Sequence, residues 1–206
     1  MFTGIVRSIG TIKAVEKRKA SQRLLIDCPL VTKIHAKIGD SLAVNGICLT
    51  ITKLQETTFA VDVMPETIRR TNLATVRVGS QVNIEPALRA SDRLDGHFVL
   101  GHVDTIGTVT SHQVEGNATV YQIRFPKKYR PLIIEKGSIA VDGVSLTVTQ
   151  VNDDTFSVSL IPHTLQETIL KDLNDGEVVN LETDILGKYI LSGREAETNE
   201  QVKTDY

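Results

Sequence analysis

The stretch Val44–Thr52 reads VNGICLTIT, and 97 positions later Val141–Thr149 reads VDGVSLTVT. Each copy alternates apolar and polar residues around an Asn-Gly or Asp-Gly pair. That dipeptide tolerates positive φ and marks a tight turn between two strands. The match extends outward at the same offset. Gly4, Val6, Ile9, Gly10 and Thr11 fall on Gly101, Val103, Ile106, Gly107 and Thr108. Phe59, Val61, Pro65 and Thr67 fall on Phe156, Val158, Pro162 and Thr164; Gly79, Val82, Asn83 and Glu85 fall on Gly176, Val179, Asn180 and Glu182. A repeat this long is not a solenoid unit; each copy is expected to be a small domain.

Within each copy the periodicity is that of strands. TFAVDVM (58–64) and TFSVSLI (155–161) alternate and are rich in β-branched and aromatic residues. Segments 4–16 and 101–112 begin with Gly and contain a second one, which suits a bulge in a curved strand. SQVNIEPA and EVVNLETD read as closing strands. About six strands per copy predict an all-β chain of two small antiparallel barrels. Short helical turns are expected after Pro65 and Pro162, because proline suits a helix start. Residues 87–96, ALRASDRLDG, read as a polar linker. After Asp184, Ile185, Leu186, Tyr189 and Ile190 recur at helical spacing, with no core of their own left to join. They pack on a barrel or meet the same helix of other subunits. The tail from Arg194 to Tyr206 is polar and expected to fray. The predicted units are 1–88, 97–185 and a helix with its tail over 186–206.

Composition narrows the function. The net charge is −2 and there is no tryptophan, which argues against a dedicated nucleic-acid binder. Cys28 and Cys48 are too few for a disulfide framework and fit a reducing compartment. No signal-peptide pattern opens the chain, and no apolar run approaches a membrane span of about 20 residues, so a cytoplasmic protein is expected. The histidines and cysteines show no metal-ligand spacing, and there is neither a phosphate-cradling loop nor a nucleophile elbow. That leaves a pocket without cofactor or metal, or no catalysis.

Equal positions in two similar barrels share backbone geometry, so chemistry is sought where side chains differ. Cys48 stands against Ser145, Ile5 against His102, Asp62 against Ser159, Glu66 against His163 and Gly39 against Lys136; Thr50 and Thr147 agree. Positions 48 and 50 share a strand face, as do 145 and 147, so each copy offers two small polar groups side by side. Such a pair suits the edge of a heterocycle. A strand threonine and a lone cysteine also suit a purely structural role.

The segments MFTGIV, VNGICLT, GHFVLGHVD and VDGVSLT, in this order and spacing, resemble the riboflavin synthases over nearly the whole chain. The resemblance implies two six-stranded Greek-key barrels with a C-terminal helix, assembled as a homotrimer. It implies a cofactor-free dismutation in which two molecules of 6,7-dimethyl-8-ribityllumazine exchange a four-carbon unit. Riboflavin and 5-amino-6-ribitylaminouracil result, at sites between the first barrel of one subunit and the second of its neighbour. The implied substrate-binding positions are Gly4, Ile5, Val6, Cys48, Leu49, Thr50, Asp62, Val63, Met64, Pro65, Glu66 and Thr67. In the second barrel they are Gly101, His102, Val103, Lys136, Ser145, Leu146, Thr147, Ser159, Leu160, Ile161, Pro162, His163 and Thr164. Ser41 joins the set, and Phe2 is expected at the site mouth. His102 is expected to move protons, Cys48 or Ser145 to supply or orient a nucleophile, and Asp184 to complete the polar network. A non-catalytic lumazine or flavin carrier on the same scaffold is the nearest rival; the flavin-binding barrel of a reductase is a third reading, and would normally need a following nucleotide domain.

Overall fold

The computed structural model describes residues 1–19 and 21–204, with side chains as far as Arg194. The first copy forms β1 (Ser8–Lys17), β2 (Gln22–Asp27), α1 (Leu30–Lys33), β3 (Ser41–Val44), β4 (Ile47–Gln55), β5 (Thr58–Val63), α2 (Pro65–Arg70) and β6 (Gln81–Pro86). The second forms β7 (Thr105–Glu115), β8 (Ala118–Arg124), β9 (Ser138–Val141), β10 (Val144–Val151), β11 (Thr155–Leu160), α3 (Pro162–Glu167) and β12 (Val178–Thr183), followed by α4 (Ile185–Thr204). Each set of six strands closes into an antiparallel barrel, in the orders β1-β2-β5-β4-β3-β6 and β7-β8-β11-β10-β9-β12. Closure gives each strand a neighbour on both sides over at least part of its length.

The two barrels repeat one another in detail. Ala43 pairs with Cys48, as Ala140 pairs with Ser145. The register slips between Ile51 and Lys53, and again between Val148 and Gln150. The turn residues take the left-handed conformation that the dipeptides require: φ is 47° at Asn45 and 76° at Gly46, 45° at Asp142 and 78° at Gly143. Inward-facing residues fill each barrel, with Ile12, Leu24, Phe59 and Ile84 in the first and Ile123, Ile139, Phe156 and Leu181 in the second. Among the described residues no helix is long and apolar enough to cross a membrane.

The barrels meet across a pseudo-two-fold seam. The hairpin turns abut so closely that a Cβ on Gly46 would lie 2.6 Å from the Gly143 nitrogen. Around them lies a polar network. Asn83 donates to the Asp142 carbonyl and Asn180 to the Asn45 carbonyl, both at 2.9 Å. Asp142 Oδ1 accepts from the Asn180 N–H at 2.9 Å and from Asn72 Nδ2 at 2.8 Å.

Burial raises the Asp142 carboxyl from 3.8 to about 7, against the pull of those hydrogen bonds. The folded form therefore holds a proton that the unfolded chain releases above pH 3.8. Stability contributed by this group is full below that pH and is lost as pH rises toward 7. Its counterpart Asn45 accepts from the Asn83 N–H at 2.8 Å with no charge to bury. Asp142→Asn is therefore expected to melt above wild type at pH 8, with the gap shrinking toward pH 5, by up to about 1.4 kcal/mol per pH unit.

Two features depart from expectation. The helix α4 continues to Thr204, through the polar stretch expected to fray; Glu195, Ala196, Glu197 and Lys203 are good helix formers. The second concerns the segments that precede each barrel. Residues 1–6 bridge the barrels: Thr3 and Gly4 bond to Glu85 of the first, and the Gly4 carbonyl meets Ser145 of the second. Val6 packs on the second core and Val103 on the first. Phe2 and Val99 exchange backbone hydrogen bonds at 2.7 and 3.1 Å where the segments cross. The opening residues of the ranges 1–88 and 97–185 thus each reach across to the other barrel.

Candidate active site

The crossing segments decide what stands next to what. The Gly101 carbonyl accepts from the Cys48 N–H at 2.9 Å, and the Gly4 carbonyl accepts from the Ser145 N–H at 2.8 Å. Gly101, His102 and Val103 therefore belong with Cys48, whereas Gly4, Ile5 and Val6 belong with Ser145. This corrects the grouping drawn from the sequence, where each segment was assigned to its own copy. The physical reason is that the two barrels abut at the seam, which brings each opening segment beside the other copy's strand.

Buried carboxylates fix the crossing. Glu85 accepts from the Thr3 N–H and hydroxyl, both at 2.7 Å, and from the Gly4 N–H at 3.0 Å. Glu182 accepts from the N–H groups of Leu100, Gly101 and His102 at 2.6, 2.9 and 3.0 Å. Burial raises both carboxyls above the usual range, and these N–H bonds pull the other way.

The first cradle is a cleft of about 220 Å³ lined by Cys48, Glu66, Thr67, Arg70, Gly101, His102 and Val103, among others. Cys48 is half-buried, while Thr50, Met64, Glu66 and His102 are exposed. Leu49 and Val63 face the barrel core, so they offer a ligand only backbone. β4 pairs with β5 from Ile51 onward, but Ile47 to Thr50 pair only with β3. The two strands splay there, and the outward N–H direction of Cys48 is shared by Thr50, two residues on. Asp62 sits on the β5 side of this gap, held by Arg23 through bonds of 2.7 and 2.8 Å, which lower its carboxyl. Glu66 is paired with Arg69 and Arg70. Ser41 lies opposite Thr50 across β3–β4, lining a separate hollow of about 520 Å³.

The second cradle repeats the plan with different side chains. Ser145 is half-buried; Thr147, Ser159, Ile161, Pro162 and His163 are exposed, Thr164 is half-buried, and Leu146 and Leu160 face the core. Here too β10 and β11 pair only from Val148 and Val158 onward, leaving the Ser145 end splayed. Lys136 is exposed beside this wall, its N–H donating to the Val148 carbonyl at 2.8 Å, with φ 63° where Gly39 has 97°. Asp184 is half-buried at the start of α4 and accepts from the Leu186 N–H at 3.0 Å.

Phe2 is not at a mouth. It is fully buried with Ala43, Val99 and Ala140 in a third core between the barrels, beneath Cys48. One residue that sequence reasoning missed is His97. It is 8% exposed and its Nδ1 lies 2.7 Å from the Ser145 hydroxyl.

The lumazine binding domain matches residues 3–87 and 100–184 of the chain. Over 92% of its length the chain is 45% identical to the riboflavin synthase of Bacillus amyloliquefaciens, covering 88% of that protein. The enzyme of Mycobacterium bovis is 44% identical across 92% of the chain and 96% of its own length. The chain belongs to the riboflavin synthase family. The fold agrees. LumP complexed with 6,7-dimethyl-8-(1'-D-ribityl)lumazine superposes with a TM-score of 0.80 at 27% identity, over 89% of this chain and 99% of that one. LumP complexed with riboflavin gives a TM-score of 0.83 at the same identity and coverage. As a member of the riboflavin synthase family the chain is an enzyme of that type, and it carries the lumazine binding domain twice.

Proposed function

We propose that the chain converts two molecules of 6,7-dimethyl-8-ribityllumazine into riboflavin and 5-amino-6-ribitylaminouracil, by transfer of a four-carbon unit without a cofactor. The observation that carries this reading is the pair of equivalent cradles, each a splayed strand gap closed by the other half's crossing segment. Two copies of one molecule need two walls of one shape. Held face to face, they react at an effective concentration that supplies much of the rate. Strand backbone at Cys48–Thr50 and Ser145–Thr147 grips the heterocycle edge, and Asp62, Met64, Thr67, Ser159, Ile161 and Thr164 border the ribityl chain. His102 transfers protons to and from the carbanion formed at the 7-methyl group. Cys48 or Ser145 supplies the group that adds to the partner ring.

The site joins two subunits. A cleft of about 220 Å³ falls short of the roughly 300 Å³ at which small-molecule pockets begin, so a second wall is needed. On α4, Leu186, Tyr189 and Ile190 are 55%, 73% and 63% exposed, an apolar stripe that suits contact with the same helix of other copies in a trimer. Residues 1–88 and 97–185 then act as the two substrate-binding units, each completed by the opening segment of the other, and 186–206 as the assembly element.

The test is incubation with the lumazine alone: one riboflavin per two lumazines is expected, and tight binding without conversion would favour the carrier reading. The shared site has its own test. A chain inactivated in the first cradle, mixed by refolding with one inactivated in the second, should regain activity, because some hybrid sites join two intact walls. No regain in proven hybrids would place the site within one chain.

A further inference from the structure

Arg23 and Asp62 stand opposite each other in the register of β2 and β5. Their strand neighbours Leu24, Val61 and Val63 point into the core, so alternation turns Arg23 and Asp62 outward. The guanidinium gives one N–H to each carboxylate oxygen, Nε to Oδ1 at 2.7 Å and Nη2 to Oδ2 at 2.8 Å. Such a fork fixes the plane of the carboxylate, which a single contact to a lysine would not. The hydrogen bonding from Arg23 is the largest cause that holds the Asp62 carboxyl below its ordinary value of 3.8; the fields of Arg18, 3.8 Å from Oδ1, and of Lys53 act in the same sense. At neutral pH Asp62 is therefore an acceptor only, and each oxygen keeps a lone pair beyond the fork. The side chain is 38% exposed, open to a donor from outside. On the side away from Arg23 lies the strand gap, because β4 and β5 pair no further toward Asp62 than Ile51 and Val61.

The second cradle has no such clamp. At the offset of 97, Arg23 becomes Val120, Asp62 becomes Ser159, Lys53 becomes Gln150 and Arg18 becomes Glu115. Val120 and Ser159 pair in the same register. Ser159 borders a hollow of about 650 Å³ in which, among the described residues, Glu115 is the one charged lining side chain; Ser111, Gln122 and Ser157 are among the rest. A ligand in the second cradle meets hydroxyls and amides there. A ligand in the first meets a fixed anion.

We propose that Arg23 is a positioning residue of the first cradle: by clamping Asp62 it presents a fixed acceptor to the ribityl hydroxyls, and so makes this cradle the one that selects a polyhydroxy chain. The inference rests on the proposed function, which runs the ribityl chain past Asp62. A hydroxyl donating to a carboxylate is held more strongly than one bonded to a neutral group such as Ser159. The acceptor is also ordered before the ligand arrives, so less freedom is lost on binding.

The experiment is equilibrium binding of riboflavin, and of a flavin with a methyl group in place of the ribityl chain, to wild type, Arg23→Gln, Asp62→Asn and the double variant. Each single variant should weaken the tighter class of riboflavin site about tenfold. The double variant should be no worse than Asp62→Asn, because Arg23 acts only through Asp62. Arg23→Lys should recover part of the loss, since it restores the charge but not the fork. The methyl flavin should bind every variant within twofold of wild type, because it carries no hydroxyl to reach Asp62. A merely structural role would weaken both flavins alike. The proposal is overturned if Arg23→Gln binds riboflavin as wild type does, if the methyl flavin weakens in step with riboflavin, or if the two losses multiply. Should Arg23→Gln fail to fold, Arg23→Lys decides by the same contrast between the two flavins. Binding is read without turnover, so wild type that makes no riboflavin would remove the proposed function, while the contrast still decides the role of Arg23.

Discussion

Glu182→Ala is expected to cost on the order of 3 kcal/mol of stability or more and to remove most turnover. The carboxylate accepts three successive backbone N–H groups, from Leu100, Gly101 and His102. Gly101 is buried and Leu100 half-buried, so water can replace little of what is lost. Each stranded donor costs about 1–3 kcal/mol. Alanine also relieves the burial that raises the carboxyl, but three donors outweigh one relieved charge. The second effect falls on chemistry. The same segment lays the Gly101 carbonyl on Cys48 and carries His102 to the cleft, so loosening it opens the first cradle. Urea unfolding and kcat measured together check both halves of the argument. Glu182→Gln should fall between, since its amide NH₂ turns a donor toward a donor. A variant with wild-type midpoint and rate would show that the crossing segment holds without its carboxylate.

Much of this architecture was legible in the sequence. The Asn-Gly and Asp-Gly turns, the helices after Pro65 and Pro162, the linker and the repeat itself follow from local physics that any copy of those residues would obey. β2 and β8 were less visible, because Gln22–Asp27 and Ala118–Arg124 mix charged and polar residues into short alternations. The interchange of the opening segments was not legible at all. Gly4 and Gly101 occupy equal positions, and nothing local in the sequence tells which strand each carbonyl meets; that pairing is a property of the tertiary fold. His97 escaped for a related reason. Searching for differences between copies requires two residues to compare, and His97 lies ahead of the matched stretch, which begins at Gly4 and Gly101. The stretch GHFVLGHVD contained it all along, but burial behind Ser145 is a property of the fold.

Gly101→Ala is expected to be the most damaging single-methyl change in the chain's first cradle. At φ 78° any side chain is strained, at about 1–3 kcal/mol. An added Cβ would also stand 2.6 Å from Cys48 Cβ and 2.7 Å from the Cys48 nitrogen. The nitrogen cannot retreat, because it is the atom bonded to the Gly101 carbonyl at 2.9 Å. Relief must come from moving the segment away, which breaks that bond and displaces His102 with it. Gly79→Ala supplies the control. It shares the left-handed backbone, with φ 90°, but no atom lies within 4 Å of its Cβ. The difference in midpoint between the two variants therefore isolates the contact from the strain, and about 1–3 kcal/mol is expected beyond the control. Gly4→Ala meets Ser145 Cβ and nitrogen at the same 2.6 and 2.7 Å, so its stability loss should match that of Gly101→Ala. The two should part in their pH profiles, because Gly101→Ala disturbs Cys48 and His102, whereas Gly4→Ala disturbs Ser145 and the buried His97 beside it. Equal losses of stability with identical pH profiles would mean that the two cradles do the same chemistry.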